Sequence, residues 1–587
     1  MNSSQQENCS LSGYVWRIKP TNERIANAIS QRFDLPDIVA RILAGRDFSL
    51  DTIQEFLYPT LKQNLPNPFS LQDMEKAATR VAQSILANEP IGLMGDYDVD
   101  GATSTAELKL YLEQCGIKVF TFIPEREDGY GPNARKMQEY KDAGCTVVLT
   151  LDCGTTAFEP IDFGTKLGLD VIILDHHNAE GQLPNAYAIV NPKRLDEKQD
   201  HPCHYMAACG VVFLFIVALN KILRDKGFWQ NKTEPNLIQY LDLVAFGTVC
   251  DVVKLMGVNR LLVKSGLKQF ATGQNIGLSA LARQINLEES ANTYHLGYLM
   301  GPRVNACGRV GKSDLGMKLL SSHDPIEAGI LAEELESLNA LRRDIENDVF
   351  LKAIEQVESK KLDTPFIVVS GENWHQGVVG IVAGRLKERY NLPVFALSIE
   401  GDDVKGSSRS VTGLDIGTLV MNAVTKGILT RGGGHPMAAG FSLQKEKIDA
   451  FIQYLQDTIK PELLQQNPND LQAEAVLDLT GLTLDLIQKL ELLAPFGEGN
   501  PEPLFILKDV HITYANLLKN GHISVGLSNK SGKKMTAIAF RAADTEMGKA
   551  FLTTHGDEFF DLMVTLKKDT WKGQTKIQIQ ILDAKRV

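Results

Sequence analysis

The stretch "GLMGDYDVDGATSTAE", residues 92–107, decides how this sequence is interpreted. Aspartates alternate along it, a glycine follows them and a glutamate closes the run: Asp96, Asp98, Asp100, Gly101 and Glu107. They fill every specified position of the calcium-loop pattern D-x-[DN]-x-[DN]-G-x5-E. An EF-hand, however, needs a helix before its loop, whereas 91–94 is short, apolar and bounded by glycine like a strand. Since the sequence contains no second copy of the pattern, we expect a metal-binding turn between a strand and a helix.

Apolar strands and helices alternate around this stretch. The predicted strands are 91–94, 117–123, 146–151 and 170–174. The predicted helices lie at 73–88, after the acidic run as far as 112, and at 133–143. Short apolar strands separated by helices predict a parallel sheet that is covered on both faces.

Polar side chains follow each of these strands directly. They are the aspartates of the opening stretch, then Glu125 and Arg126, then Asp152, and then Asp175, His176 and His177. Ligands of open α/β sheets bind beyond the carboxyl ends of the strands, so we expect these residues to meet in one crevice. Asp251 ends a further apolar stretch and is either another member of this group or a helix or strand cap.

Carboxylate and imidazole groups in such a crevice predict Mn²⁺ or Mg²⁺ as the cofactor. Several carboxylates packed together repel one another unless cations neutralise them. Two ions that share a carboxylate solve this problem and also catalyse phosphoester hydrolysis. We therefore expect a centre of two ions.

The length of 587 residues predicts several domains. We expect a helical leader, a parallel-sheet α/β domain, a connecting helix, a second α/β domain and an all-β barrel, at 1–72, 73–325, 326–360, 361–462 and 463–587. The barrel is indicated by period-2 alternation in "VTLKK" and "KIQIQIL". Residues 505–587 carry 13 Lys and Arg against 8 Asp and Glu, in a chain of net charge −11. This local excess of +5 favours nucleic-acid binding by the barrel, with a solvated basic face as the alternative.

Eight cysteines without regular CxxC pairs indicate reduced thiols and a cytoplasmic location. The N-terminus lacks the apolar segment of a signal peptide. The longest apolar run, 205–219, is shorter than the roughly 20 residues that span a bilayer, so it predicts a buried helix and no membrane association. "HPCHYMAAC" (201–209) lacks the two separated ligand pairs of a zinc site.

Eight motifs occur in an order that resembles the DHH phosphoesterase family, and within it the exonucleases specific for single-stranded DNA. They are "GDYDVDGATST" (95–105), "EDGYG" (127–131), "LDCG" (151–154), "DHH" (175–177), "GTVCDVV" (247–253), "GPRVNACGR" (301–309), "WHQGVVGIVAGRLKE" (374–388) and "GGGHPMAAG" (432–440). The resemblance runs from about 70 to 445. It implies a parallel-sheet DHH domain joined by a long helix to an α/β DHHA1 domain, with an OB-like barrel at the C-terminus.

The resemblance implies six metal ligands: Asp96, Asp98, Asp100, Asp152, His176 and Asp251. One alignment of the acidic motif favours Asp98 with Asp100 and another favours Asp96 with Asp98, so Asp98 is common to both. Catalytic roles are implied for Asp98 and for His177, which lies beside the scissile phosphate or on the second ion. Asp175 is implied to orient a neighbouring side chain, as metal sites commonly require.

The implied substrate-binding residues are Arg126, Arg303, Asn305, Arg309, Trp374, His375, Ser407, Arg409, Gly433, Gly434 and His435. Arginine suits bidentate phosphate recognition, which favours Arg126 and Arg409 for a terminal 5′ phosphate. Glycines allow a phosphate chain to approach closely, and His435 can donate to it. Trp374 can stack on a base, with a core position as the equal alternative.

The function implied is metal-dependent 5′→3′ hydrolysis of single-stranded DNA in DNA repair and recombination, with single-strand-binding protein and a helicase as partners. One alternative is a DHH phosphodiesterase of short oligonucleotides or cyclic dinucleotides, although such enzymes are typically shorter and lack the barrel. The other is a catalytically inactive DNA-binding scaffold, which the complete set of ligand positions disfavours.

Overall fold

The computed structural model describes residues 9–126, 129, 131–179, 181–359, 364–461, 470–554, 558–571 and 574–587. Three residues of the "EDGYG" motif (Glu127, Asp128 and Tyr130) and the start of the predicted barrel domain (463–469) lie outside this range. The six fully buried cysteines are free thiols, as expected: Cys115, Cys145, Cys153, Cys203, Cys209 and Cys307.

The described part of the N-terminal region contains one strand and four α-helices: β1 (Val15–Ile18), α1 (Glu23–Phe33), α2 (Asp37–Gly45), α3 (Ile53–Leu57) and α4 (Leu61–Asn64). Asn22 starts α1, because its side chain accepts the N–H groups of Arg24 and Ile25. The helical character of this region was predicted, and β1 was not.

A five-stranded sheet follows, with every strand pair parallel, as predicted. Its elements are α5 (Met74–Leu86), β2 (Ile91–Met94), α6 (Val99–Gln114), β3 (Val119–Phe122), α7 (Ala134–Asp142), β4 (Val147–Leu151), α8 (Phe158–Lys166), β5 (Asp170–Leu174) and β6 (Ala188–Val190). The strand order is β3-β2-β4-β5-β6. The short strand β6 at the sheet edge was not predicted.

Helices complete this domain: α9 (Ala208–Asp225), α10 (Leu241–Cys250), α11 (Gly257–Phe270), α12 (Ile276–Gln284), a π-helical turn (His295–Met300), α13 (Gly301–Val310) and α14 (Leu315–Leu320). Most of the apolar run 205–219 lies in α9 and is buried, as predicted. Within the described residues, no helix has the length and apolar character needed to cross a membrane. A 35-residue helix, α15 (Pro325–Ser359), then leads to the next sheet.

The second α/β unit consists of β7 (Ile367–Glu372), α16 (Gln376–Tyr390), β8 (Val394–Glu400), β9 (Asp403–Arg409), α17 (Ile416–Thr425), β10 (Arg431–His435), β11 (Ala438–Gln444) and α18 (Ile448–Thr458). The strand order is β10-β11-β9-β8-β7. Only β7 and β8 are parallel, and the other pairs are antiparallel.

The C-terminal region contains β12 (Asp470–Ala473), β13 (Ala475–Leu477), α19 (Leu484–Leu490), β14 (Phe505–Leu517), β15 (Ile523–Ser528), β16 (Lys534–Ala539), α20 (Glu546–Thr553), β17 (Phe559–Trp571) and β18 (Gln574–Arg586). Strands pair in the order β14-β15-β16-β18-β17, and β17 pairs back to β14. These five strands close a barrel, which confirms the predicted all-β fold.

The N-terminal region packs against this barrel. β1 pairs in parallel with β12. Ile29 and Val39 of the N-terminal helices share one hydrophobic core with Phe505 and Phe560 of the barrel. The two ends of the chain therefore form one folded unit, which the sequence pattern of the leader did not indicate.

Candidate metal centre

The predicted ligands meet at the carboxyl ends of the strands of the first sheet. β2, β4 and β5 deliver Asp96, Asp152 and His176, whereas Asp251 arrives as the C-terminal cap of α10. The Nε2 atom of His176 lies 3.4 Å from Oδ1 of Asp152, 3.6 Å from Oδ2 of Asp251 and 3.8 Å from Oδ2 of Asp100. Asp251 is thus both a helix cap and a neighbour of the other acids.

Three overlapping groups of side chains each offer ligand atoms within 4.8 Å of one another. They are Asp96 with Asp98 and Asp152, Asp100 with His176 and Asp251, and Asp152 with His176 and His177. All three aspartates of the opening stretch therefore offer an oxygen, and they divide between two groups. The geometry therefore gives each of the three a place beside a candidate ion position.

The residues present fit divalent cations. Oδ1 of Asp96 and Oδ2 of Asp251 are buried without a hydrogen-bond partner in the described part of the chain. Burial, followed by the charge of Asp98, raises the pKa of Asp96 well above its ordinary value. Burial and the neighbouring charges of Asp100 and Asp98 raise the pKa of Asp251 to about 8. These carboxylates repel one another when ionised, and bound cations would remove that cost.

His176 has the protonation state that a metal ligand needs. Burial lowers the pKa of His176 to about 4. The imidazole is therefore neutral at pH 7, and its Nε2 lone pair can bind a cation. The histidine-containing stretch 201–209 differs, because both ring nitrogens of His201 contact protein groups: Nδ1 accepts the N–H of Cys203 and Nε2 lies 3.0 Å from Ser70 Oγ.

The opening stretch folds as a strand-to-helix turn, as predicted. Asp98 is the N-cap of α6 and accepts the N–H of Gly101 at 3.1 Å. The carboxylate of Asp100 accepts the N–H groups of Ala208 at 2.7 Å and Cys209 at 2.9 Å, at the start of α9. The partial positive charge of a helix N-terminus stabilises this anion. Asp98 and Asp100 are thus fixed by different backbone segments.

The glycine and glutamate of the calcium-loop pattern serve other purposes. Gly101 lies inside α6, where a Cβ would come within 2.5–2.7 Å of the backbone of Asp96. Glu107 lies deeper in α6 and is fully buried. Burial, followed by the charge of Asp100, raises the pKa of Glu107 well above its ordinary value. Because helix α6 begins inside the pattern, the chain cannot wrap around one calcium ion as an EF-hand loop does.

Asp175 holds the two histidines that follow it. Its Oδ1 atom accepts the N–H of His176 at 2.7 Å and lies 2.8 Å from Nδ1 of His177. Its Oδ2 atom accepts the N–H of Thr155. Although burial alone would lower it, the bond and charge of Asp175 raise the pKa of His177 to about 9. Asp175 therefore contacts both histidines, and its orienting role stays a prediction.

Lys193 is a candidate site residue that none of the sequence motifs indicated. It follows β6 at the same edge of the sheet. Burial lowers the pKa of Lys193, while the charges of Asp251 and Asp175 oppose that shift. Recognition of β6 in the sequence would have revealed Lys193, because the other site residues were found from strand ends.

The backbone is strained on both sides of the acidic cluster. Asp152 has a φ of +60° and Val252, directly after Asp251, has a φ of +59°. L-residues rarely adopt these values, and a β-branched residue does so least readily. Strain of this kind concentrates where the surrounding structure holds functional side chains in place.

Three predicted arginines gather beside the acids. The guanidinium of Arg126 lies 4.6 Å from the ring centre of Tyr97, the residue that follows Asp96. Arg309 donates to the carbonyl of Gly377 at 3.0 Å and so bridges α13 to α16. Burial, followed by the charges of Arg126, Arg342 and Arg409, lowers the pKa of Arg309 to about 10. Repulsion among these half-buried cations favours an anion between them.

Four predicted residues share one face of the second sheet: Ser407, Arg409, Gly433 and His435. Gly433 pairs with Gly440, which pairs with Ser407, and a Cβ on either glycine would meet nothing within 4 Å. This part of the face is open to a ligand. Gly434 faces the opposite side, where a Cβ would lie 2.3 Å from the carbonyl oxygen of Ala438, so the predicted substrate contact of Gly434 is replaced by a packing role.

The remaining predicted substrate residues have structural contacts. Trp374 is 5 % exposed and packs in a hydrophobic core, so its ring offers no free face to a base. His375 caps α16 through Nδ1. Arg303 forms an ion pair with Glu336 of the long helix α15, and Asn305 is partly exposed on α13. For Trp374 the core alternative agrees with the structure, and the stacking role does not.

The fold and the site define a DHH-type phosphoesterase. The family models "DHH family, N-terminal domain", "DHHA1 domain" and "RecJ OB domain" match residues 90–248, 363–461 and 473–583. The three matches occur in the order that the sequence motifs predicted.

The chain belongs to the RecJ family. It is 34% identical over 568 residues to the single-stranded-DNA-specific exonuclease RecJ of Escherichia coli (strain K12). The aligned region covers 93% of this chain and 96% of that protein. The crystal structure of RecJ in complex with Mn²⁺ from Thermus thermophilus matches with a TM-score of 0.81 at 28% identity, over 97% of this chain and 79% of that one. The Mg²⁺ complex from the same organism gives 0.76 at 26% identity, over 99% and 79%.

Proposed function

We propose that this protein is a metal-dependent exonuclease that hydrolyses single-stranded DNA from the 5′ end with two Mn²⁺ or Mg²⁺ ions. One observation supports this most strongly: a group of acids suited to cations adjoins a group of arginines suited to an anion. Asp96 belongs to the first group, and its neighbour Tyr97 contacts Arg126 of the second. A DNA end satisfies both, with its terminal phosphate on the arginines and a phosphodiester at the cations.

Two groups of side chains would hold the ions: Asp96, Asp98 and Asp152 in one, and Asp100, His176 and Asp251 in the other. When bound, such a pair of ions supplies an activated water and neutralises the charge that develops on the departing oxygen. The assignment of individual aspartates to each ion stays a prediction.

His177 is suited to contact the reacting phosphate. Its side chain is 40% exposed, whereas that of His176 is 7% exposed. Nδ1 of His177 contacts the carboxylate of Asp175. This contact fixes the orientation of the imidazole ring and therefore the position of Nε2. With a pKa of about 9 the imidazole is protonated at neutral pH, and it can donate a hydrogen bond from Nε2 to a phosphate oxygen.

Arg409 and Ser407 are suited to hold the 5′ phosphate with Arg309. Arg409 donates to Ser407 Oγ at 3.3 Å, so the guanidinium and the hydroxyl lie side by side. The backbones of α13 and α16 approach so closely that a Cβ at Gly377 would lie 2.5 Å from the carbonyl oxygen of Arg309. This close approach fixes Arg309 beside α16, which supports a site built to hold the phosphate at a strand end.

The direct test is degradation of 5′-labelled single-stranded DNA by the purified protein in Mn²⁺. The wild type should release the label as mononucleotide, and chelation of the metal should stop it. Asp98→Ala should abolish the activity, because Asp98 is a candidate ligand and caps α6. Asp142→Ala, at an exposed position of α7, is the matched control and should retain it. Full activity of Asp98→Ala would overturn the metal assignment.

The alternative of a phosphodiesterase for short oligonucleotides predicts a different dependence on length. Such an enzyme should cut dinucleotides and leave a long strand intact. The closed C-terminal barrel favours a long strand, because barrels of this kind bind single strands through a groove. An inactive scaffold would degrade neither substrate.

Several properties stay predictions from the family resemblance. They are a role in DNA repair and recombination, and contacts with single-strand-binding protein and a helicase. A cytoplasmic location also stays a prediction, and the free buried thiols are consistent with a reducing compartment.

A further inference from the structure

We propose that Tyr294 and Tyr298 form a stacking platform that holds the bases of a single DNA strand between the C-terminal barrel and the metal centre. This inference rests on the proposed function, because it takes the substrate to be single-stranded DNA. It adds a positioning element that lies outside the metal ligands and the arginine group.

The two tyrosine rings are stacked and exposed. Their centroids are 5.5 Å apart and their planes are inclined by 24°. Tyr298 is 74% exposed and Tyr294 52%, the two highest values among the exposed Phe and Tyr side chains of the described residues. Exposure of this size has a cost in water, and stacking on bases is a use that needs no sequence recognition.

The platform lies between the two parts of the molecule that the strand must connect. Thr293 donates its hydroxyl to the carbonyl of Phe496 at 2.6 Å, which ties the helix start to the segment that leads into the barrel. On the other side, Cys250 Sγ lies 3.6 Å from the carbonyl oxygen of Leu296. Cys250 directly precedes Asp251, so the turn that carries the tyrosines packs against the end of the helix that supplies a candidate metal ligand.

One helical face connects the tyrosines with the arginine group. The π-helical turn runs without a break into α13. Tyr294, Tyr298, Pro302, Asn305 and Arg309 recur at intervals of three or four residues and are the exposed or partly exposed positions of this face. Arg309 at its far end reaches α16. A strand that follows this face therefore passes from aromatic rings to cations, which suits its bases and then its phosphate.

The turn is held rigidly. The side chain of Asn292 accepts the N–H groups of Tyr294 and His295, and Nδ1 of His295 accepts the N–H of Asn292. His295 is itself buried, and its ring centre lies 6.0 Å from that of Tyr294. A π-helical turn is uncommon and often marks a functional position. Fixed rings lose little freedom when a base stacks on them.

A third exposed aromatic ring supports a nucleic-acid path here. Tyr205 is 51% exposed, nearly as much as Tyr294. The ammonium of Lys254 lies 4.4 Å from the centre of the Tyr205 ring. Lys254 is three residues after Asp251 in the sequence. Aromatic faces combined with a cation are typical of surfaces that bind single strands.

The test compares a long oligothymidylate with a 5′-phosphorylated trinucleotide, which lacks most of the bases that the proposed path carries along the platform toward the barrel. For the double variant Tyr294→Ala/Tyr298→Ala we expect a KM about tenfold higher on the long strand, from the loss of base stacking. The kcat on the long strand and both constants on the trinucleotide should be unchanged. The double variant Tyr294→Phe/Tyr298→Phe keeps the rings and should behave as wild type. Tyr58→Ala, at a 49% exposed tyrosine of the N-terminal region, is the matched control.

Binding of the fluorescently labelled long strand tests the role of the platform independently of hydrolysis. The Ala double variant should bind about tenfold more weakly than wild type, and the Phe double variant equally. A single abasic site, moved along the strand, should weaken binding to wild type at one or two positions and have no effect there on the Ala variant. Equal binding by all variants would overturn the platform. Absence of hydrolysis by the wild type, with the binding differences intact, would overturn the proposed exonuclease function and leave the platform supported.

Discussion

The Nδ1 atom of His177 lies 2.8 Å from Oδ1 of Asp175. The aspartate of the DHH motif therefore contacts the second histidine of the same motif. Its other oxygen accepts the N–H of Thr155, which follows a neighbouring strand. Burial would raise the pKa of Asp175, but the contact with His177 prevails and lowers it. The pair thus stays a carboxylate and an imidazolium over the neutral range, with the imidazole turned toward the exposed side of the site.

Replacement of Asp175 by Asn should separate the charge of this pair from its geometry. The amide can still accept a hydrogen bond, but it no longer stabilises the imidazolium. His177 would then lose its proton at a lower pH than about 9. We expect kcat to fall by about 10²-fold at pH 8, in the range typical of positioned proton donors. The alkaline limb of the pH–rate profile should also move to lower pH.

The pH profile is the measurement that checks this prediction. Asp142→Asn, at an exposed position of α7, should leave the profile unchanged. A merely structural role for Asp175 would lower activity equally at every pH, and such a result would count against the charge effect.

Gly101→Ala should disturb the metal centre without removing any ligand. The new Cβ would lie within 2.5–2.7 Å of the backbone of Asp96, which must shift. We expect Mn²⁺ to bind at least about tenfold more weakly, the range seen when support of a metal ligand is lost, with hydrolysis reduced accordingly. Titration of Mn²⁺ into the metal-free protein, followed by calorimetry, measures this directly.

Gly329→Ala is the matched control for that change. Gly329 lies in the long helix α15, and a Cβ there would meet nothing within 4 Å. Alanine is favoured over glycine in a helix, so this variant should be slightly more stable and bind Mn²⁺ normally. Unaltered Mn²⁺ affinity in Gly101→Ala would show that the approach of α6 to Asp96 is not critical.

The sequence predicted the first sheet well because strand and ligand information coincide there. Buried strands are short apolar runs, and the residue after each run is polar, so one pattern gives both the fold and the candidate ligands. Asp251 was harder to place because it comes from a helix end. Lys193 was missed because β6, only three residues long, carries too little pattern to be recognised.

Other features could not be read from local pattern because they depend on distant contacts. The pairing of β1 with β12 joins opposite ends of the chain. The shared face of Arg409 and His435 follows from antiparallel register through β11, which the composition of single strands does not specify. The indole ring of Trp374 is of a type that stacks on bases, and only its burial in the structure assigns it to the core.

Arg409→Gln should weaken the preference for a 5′ phosphate. The guanidinium lies beside Ser407 Oγ on the open sheet face and interacts with Arg309. Loss of a charged hydrogen-bond donor to phosphate should raise KM for a 5′-phosphorylated strand by about tenfold. KM for the same strand with a 5′ hydroxyl should change little.

The ratio of the two KM values is the quantity to compare. Arg389→Gln removes an arginine that pairs with Glu358 at the protein surface, and its ratio should equal that of wild type. A wild-type ratio in Arg409→Gln would remove Arg409 from the phosphate site.

Arg260→Met should separate the first domain from the unit formed by the two chain ends. Arg260 is 2% exposed on α11 and donates to five backbone carbonyls: those of Phe56, Leu492, Leu493, Ala494 and Pro495. Methionine fills similar space but leaves these oxygens without their donor. We expect the free energy of unfolding to fall by about 3 kcal/mol or more, because buried acceptors would lose their partners.

Urea unfolding and limited proteolysis measure the effect of Arg260→Met, and we expect early cleavage near the start of the barrel. Arg283→Met, at an exposed position of the neighbouring helix α12, should unfold as wild type does. Equal stability of the two variants would mean that water or a neighbouring donor replaces Arg260, and that other contacts join the domains.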